Sequence, residues 1–131
     1  IDERLFIVDL PGYGYAKASK SDIVRWTKLT REFLFGRASL RRVFLLIDSR
    51  HGTKENDIEL MNMLDETAVT YQIVLTKIDK IKKSEIDEVY IKTAALIAKR
   101  PAAYPNIILT SSEKKNGLDE LRSTIANIAI P

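Results

Sequence analysis

The sequence predicts an α/β fold in which a parallel sheet carries helices on both faces. Three observations predict it. Four short apolar runs rich in β-branched residues are spread along the chain, and they are continuous rather than alternating, as strands buried on both sides are. The segments between them repeat their apolar residues at helical spacing, giving βα units in series. Finally, each apolar run is followed at once by polar residues, as at the carboxyl ends of strands in a parallel sheet.

The first strand is expected at Leu5-Phe6-Ile7-Val8. A helix follows from Ser21 to Phe35, where Ile23, Trp26, Leu29, Phe33 and Leu34 recur at steps near 3.6, with Gly36 as its C-terminal cap. Val43 to Ile47 form the second strand, and the helix after Thr53 carries Ile58, Met61 and Leu64 on one face. Gln72 to Leu75 form the third strand. The next helix begins at Ser84, which with Asp87 resembles a capping box, and it presents Ile86, Val89, Tyr90 and Ile97. Asn106 to Leu109 are the fourth strand. The last helix runs from about Gly117 to Ala129 with Leu118, Leu121, Ile125 and Ile128 on its stripe.

With 131 residues, 45% hydrophobic and 30% charged, the chain fits one domain, 1–131, able to build a core. No internal repeat and no Pro- or Gly-rich linker divides it. The absence of cysteine excludes disulfides and thiolate metal sites, and a single histidine, His51, argues against zinc. The longest apolar stretches, Val43 to Ile47 and Ala94 to Ala98, are far too short to span a bilayer, and no signal peptide opens the sequence. A cytoplasmic protein is expected, without membrane or DNA as partner. The net charge of +3 permits a polyanionic partner without requiring one.

Chemistry is sought at the strand ends. They read Asp9-Leu10-Pro11-Gly12, Asp48-Ser49-Arg50, Thr76-Lys77-Ile78-Asp79 and Thr110-Ser111-Ser112. In the first, the carboxylate suits a Mg²⁺-bound water and the glycine lets its N–H approach a phosphate. In the third, the Lys77 stem can lie along a planar ring, and the Asp79 carboxylate can accept two parallel hydrogen bonds. Guanine offers such a pair at N1–H and its exocyclic amine. Adenine offers an acceptor at N1, which would leave the carboxylate unpaired. The fourth is a polar loop whose backbone N–H groups suit the base O6.

These segments, in this order and spacing, resemble the last three nucleotide motifs of translation-factor-class GTPases. The string from Asp9 to Ala16, Asp-Leu-Pro-Gly-Tyr-Gly-Tyr-Ala, closely resembles the EngB family, also called YsxC or YihA, and the similarity extends through Leu46 to Gly52. The resemblance implies a P-loop-NTPase-like sheet and GTP and GDP as ligands, with Mg²⁺ as cofactor. It also implies GTP hydrolysis to GDP and phosphate, and a role in large ribosomal subunit assembly and in cell division and septation. Nucleotide contacts are then expected from Asp9, Leu10, Pro11, Gly12, Thr76, Lys77, Ile78, Asp79, Thr110, Ser111 and Ser112, with Asp9 serving the metal through water.

Two departures limit what the resemblance carries over. Thr76 stands where most GTPases have asparagine, although EngB-like proteins commonly carry threonine. No Gly-x-x-x-x-Gly-Lys-Ser/Thr occurs in the chain, and the switch threonine of the metal shell is missing as well. The 131 residues are therefore expected to be the downstream two-thirds of such a protein, inactive in hydrolysis alone. The absent first strand is implied between the strands at Leu5 and Val43, whose facing edges would lack partners. Tyr13 follows Gly12 where Ras-like enzymes carry a water-orienting glutamine, so slow intrinsic hydrolysis is expected, with water positioned by backbone, K⁺ or the ribosomal partner. No catalytic residue is assigned. Tyr13 to Ser21 are expected to form the second switch loop.

Each motif taken alone has a plainer reading. Asp9 and Gly12 suit a strand-end cap and a turn, and Lys77 and Asp79 suit solvated loop charges. Trp26 and Phe33 sit at core spacing, and His51 reads as a loop residue. Arg37, Arg41, Arg42, Lys80, Lys82, Lys83, Lys114 and Lys115 form an ordinary solvated surface, for which the resemblance raises contact with ribosomal RNA. The alternative to a GTPase is a degenerate, non-catalytic G domain serving as a ribosome or RNA interaction module. A dinucleotide oxidoreductase is excluded, since no Gly-x-Gly-x-x-Gly follows a strand.

Overall fold

The computed structural model describes residues 20–35, 40–111 and 113–129. The expected strand at Leu5, the Gly36 cap and the segment 9–19 lie outside them. Among the described residues four α-helices and three strands follow one another: α1 Lys20–Phe35, β1 Val43–Asp48, α2 Glu55–Glu66, β2 Tyr71–Thr76, α3 Lys83–Ile97, β3 Ile108–Leu109 and α4 Leu118–Ala129. The strands form a parallel sheet in the order β1-β2-β3, with Val43 beside Tyr71, Asp48 beside Thr76, and Val74 and Leu75 beside Ile108 and Leu109. Their carboxyl ends therefore lie at one rim.

On one face of the sheet, Val43, Leu45 and Ile47 of β1 and Tyr71, Ile73 and Leu75 of β2 join a single core. Leu34 of α1, Leu60, Met61, Met63 and Leu64 of α2 and Ile97 of α3 close it. Trp26 and Phe33 pack at its margin, as their spacing predicts. On the opposite face Val74 and Ile108 are fully buried, and Thr124, Asn127 and Ile128 of α4 share a polar pocket with Arg42 and Gln72. Helices thus lie on both faces.

Burial of every strand on both sides holds for β2 and fails for β1. Leu46, on the α4 side, is 59% exposed, while its neighbour Val74 is fully buried. Among the described residues nothing closes over Leu46 on that face. The helical stripe is also less closed than its spacing predicts, since Leu29 is 49% exposed and Tyr90 stands at the surface.

The fourth strand is shorter than the four residues expected. Pro105 has no N–H to give, and the Asn106 carbonyl accepts from the Gln72 side-chain amide at 2.9 Å. A side chain replaces a ladder bond there, and regular pairing starts only at Ile108. The Gln72 amide is wholly buried and also accepts from Arg42 at 2.8 Å, so both its ends are satisfied.

Helix capping also differs from expectation. In α3 the cap is Lys82, whose N–H donates to the Glu85 carboxylate at 3.0 Å, and Ser84 lies within the first turn. In α2 the Lys54 N–H donates to Asp57 at 2.9 Å. Each acidic side chain satisfies a donor that the helix itself leaves open and sits favourably at the dipole's positive end.

Tyr71 presents a buried phenol hydroxyl that makes no well-formed hydrogen bond, and burial, with the Asp65 carboxylate nearby, pushes its pKa up to about 12 against the opposing effect of the Arg100 guanidinium beside it. A buried donor that makes no bond contributes nothing to stability that an apolar ring would not. Tyr71→Phe should leave the unfolding free energy within about 1 kcal/mol of wild type or raise it. Urea denaturation measures this, and a loss of several kcal/mol would show that the hydroxyl is bonded in solution.

Candidate functional site

The polar residues at the ends of β2 and β3 meet because the strands are neighbours. Thr76 closes β2, and its carbonyl accepts from the Ser49 N–H at 3.0 Å, tying the end of β2 to that of β1. Lys77 then adopts the left-handed conformation, with φ 57° and ψ 37°. This breaks the strand and starts a 3₁₀ turn over Ile78–Lys80, closed by Lys80 N–H to Lys77 carbonyl at 3.0 Å. Left-handed backbone is uncommon for a residue with a β-carbon. Here it swings the chain so that Asp79 turns toward β3.

Asp79 meets Ser111, 32 residues later, through a hydrogen bond of 2.6 Å from the serine hydroxyl to Oδ1. The Asp79 side chain is only 7% exposed, with the Lys80 ammonium 3.6 Å from Oδ2. The Ser111 bond, helped by Lys80, holds the carboxyl below the ordinary aspartate range against the opposing effect of burial. The group is thus ionised at neutral pH and purely an acceptor, as two parallel donors on a base edge require. Lys80 also pairs with Glu113 at 2.7 Å, bridging the two loops.

The loop after β3 is fastened with little slack. Thr110 donates its N–H to the Leu75 carbonyl at 2.8 Å and accepts from the Ile78 N–H at 3.3 Å. Ser111 and Asn116 exchange backbone hydrogen bonds of 3.0 Å, and the Ser111 hydroxyl accepts from the Lys114 N–H at 3.1 Å. Thr110 and Ser111 therefore spend their N–H groups inside the protein. Neither N–H is left open for the expected contact with a base O6, and Ser112 lies outside the described residues.

Three contributors were named by the sequence reading without being given a part in the site. Gly117 has φ +73°, and a β-carbon there would collide with the Leu109 carbonyl oxygen. Only glycine lets the chain return so close beneath the end of β3; the Asn116-Gly117 dipeptide, a turn signal, was the clue available. Asp48 and Arg50 are the others. The Asp48 carboxylate accepts from the Arg50 N–H at 3.0 Å, from Nε at 3.1 Å and from Nη2 at 2.8 Å, and the Lys77 Nζ lies 3.5 Å from its Oδ2. These cations, Arg50 first, hold the Asp48 carboxyl far below the usual range.

Of the predicted site residues, Thr76, Lys77, Ile78, Asp79, Thr110 and Ser111 come together at one rim. Asp9, Leu10, Pro11, Gly12 and Tyr13 lie outside the described residues, as does the predicted metal contact. Among the described residues no group of three or more His, Asp or Glu side chains could hold a metal ion, and Asp48 is committed to cations. No described helix is long and apolar enough to cross a membrane.

No protein-family model matches the chain. Curated relatives do. The chain is 58% identical over 120 residues to a protein of Rhizobium johnstonii called probable GTP-binding protein EngB, covering 92% of this chain and 55% of that protein. Proteins of the same name from Rhodospirillum rubrum and Ruegeria pomeroyi are each 55% identical, over 99% and 95% of this chain and 56% and 58% of their own lengths. The chain spans about half the length of these relatives. Among solved structures, translation elongation factor SelB from Methanococcus maripaludis superposes with a TM-score of 0.68 at 23% identity, over 79% of this chain and 23% of that one. Its complex with the GTP analogue GppNHp gives 0.65 at 22% identity, over 78% and 23%. The fold is that of the P-loop GTPases, and over the stretch it spans this chain is homologous to proteins named probable GTP-binding protein EngB.

Proposed function

We propose that these residues form the base-recognition half of a guanine-nucleotide site in a GTP-binding protein that hydrolyses GTP to GDP and phosphate. The observation that carries the reading is the ionised, almost buried Asp79 carboxylate, fixed by Ser111 at the joined ends of β2 and β3. A carboxylate held rigidly in that state accepts from the N1–H and amine of guanine and opposes the N1 acceptor of adenine. The Lys77 stem supplies an apolar strip against the ring, and Thr76, Ile78, Thr110 and Ser111 shape the loops. The name that the curated relatives carry supports the same ligand.

The finer reading extends the same proposal. Asp9, Leu10, Pro11 and Gly12 serve the phosphates, with Asp9 reaching Mg²⁺ through water, in a single G-domain unit whose phosphate loop belongs to the full-length protein. The large ribosomal subunit or its RNA is the macromolecular partner, in the cytoplasm, in subunit assembly and cell division. Support for these is the resemblance of Asp9 to Ala16 and the basic surface residues, of which Arg41, Lys82, Lys114 and Lys115 are solvent-exposed.

The test is a titration of the full-length protein with fluorescent GDP and Mg²⁺, followed by competition with GTP and with ATP. Displacement by GTP and not by ATP is expected. Equal displacement by both would remove the role given to Asp79, and no binding would leave a G-domain fold serving as an interaction module.

A further inference from the structure

The Asp48–Arg50 pair at the end of β1 has no part in the reading above, although it stands beside the lysine that reading uses. Two exposed charges two residues apart ordinarily contribute little. This pair is built differently. Both Asp48 oxygens are engaged by Arg50, Oδ1 by the backbone N–H at 3.0 Å and by Nε at 3.1 Å, and Oδ2 by Nη2 at 2.8 Å and Nε at 3.3 Å. The guanidinium and the peptide N–H together fix the carboxylate in one orientation. Oδ2 of that carboxylate then lies 3.5 Å from the Lys77 ammonium.

Lys77 leaves β2 in the left-handed region, and its ammonium reaches sideways to β1, while Asp79, two residues on, is turned the other way toward β3. The lysine stem is thereby stretched from the β2 end toward β1, across from the Asp79 carboxylate. Otherwise Lys77 is 55% exposed, and a free lysine of that exposure samples many rotamers that binding must then freeze.

We propose that Asp48, locked by Arg50, is a positioning residue that holds Lys77 across the base site before the nucleotide arrives. The inference rests on the guanine-nucleotide reading and assigns Asp48 no contact with the ligand. Its effect is preorganisation: the ordering of the Lys77 stem is completed in the free protein, and binding keeps what it would otherwise lose to that ordering.

The experiment is a double-mutant cycle on GDP affinity in the full-length protein, combining Asp48→Asn with Lys77→Met, which keeps the apolar stem and removes the ammonium. Asp48→Asn alone should weaken GDP about three- to ten-fold. In the Lys77→Met background the same substitution should weaken it by less than about two-fold, because the anchor no longer has anything to hold. The preference for GDP over inosine diphosphate, which lacks the exocyclic amine read by Asp79, should not change with Asp48→Asn. An equal loss in both backgrounds would mean that Asp48 acts through general stability, and no loss in either would mean that Lys77 needs no anchor; both overturn the proposal. Wild-type protein that binds GDP and ATP alike, or neither, would instead overturn the guanine reading beneath it.

Discussion

Gly117→Ala should cost about 3 kcal/mol or more of folding stability and should carry nucleotide binding down with it. Two effects add. With φ +73°, alanine meets the penalty of left-handed backbone, and its β-carbon would collide with the Leu109 carbonyl oxygen and sit 3.3 Å from the Thr110 Cα. The obstructing atoms are backbone, so no rotamer change relieves the contact. Either α4 lifts at its first turn or the end of β3 shifts. A shift there moves Thr110 and Ser111, and through Ser111 it moves Asp79. Denaturant unfolding and GDP titration on one preparation measure both losses. Unchanged stability would mean that the chain does not approach the strand so closely in solution.

Asp79→Asn should weaken GDP by about a hundred-fold or more and turn the preference toward xanthosine diphosphate. Guanine presents two donors at N1–H and its amine. A carboxylate accepts both, whereas an amide can accept only one and sets its own NH₂ against the other. Xanthine keeps N1–H and has a carbonyl in place of the amine, the complement of an amide. The Ser111 hydroxyl, which donates to Asp79 Oδ1, has an equivalent oxygen to bond in the variant, so the loop is retained and the change falls on recognition. Competition of fluorescent GDP with xanthosine and guanosine diphosphates measures the switch. Parallel losses for both nucleotides would place the effect in folding instead.

The fold was readable in the sequence wherever a local pattern decided the outcome. The runs at Val43 and Gln72 became strands, and the spacings from Ser21, after Thr53, from Ser84 and from about Gly117 became helices. The reading failed where a contact distant in sequence intervened. Nothing near Asn106 announces that the Gln72 side chain, 34 residues away, takes its carbonyl and shortens β3. Nothing in Leu46 says that it is left uncovered. The capping pair was shifted because Ser84 and Asp87 have the favoured residue types, yet Glu85 is the acid placed to reach back to the Lys82 N–H.

The site divides in the same way. Thr76 to Asp79, with Thr110 and Ser111, were legible because parallel strands bring their ends to one rim. The residues that hold those in place were not. Gly117 acts through backbone proximity, and Asp48 acts through Lys77 across a strand boundary, and neither is encoded by a spacing.

The backbone bonds that tie Ile78 to Thr110, Thr110 to Leu75 and Ser111 to Asn116 also bear on time. Loops stitched to one another open together or not at all, so their amides should exchange with solvent as one cooperative unit. On the proposed guanine-nucleotide reading, a base should dock into a pocket wall that already stands. Selection among nucleotides should then show chiefly in how long each one stays, with encounter rates that differ little between the right base and the wrong one.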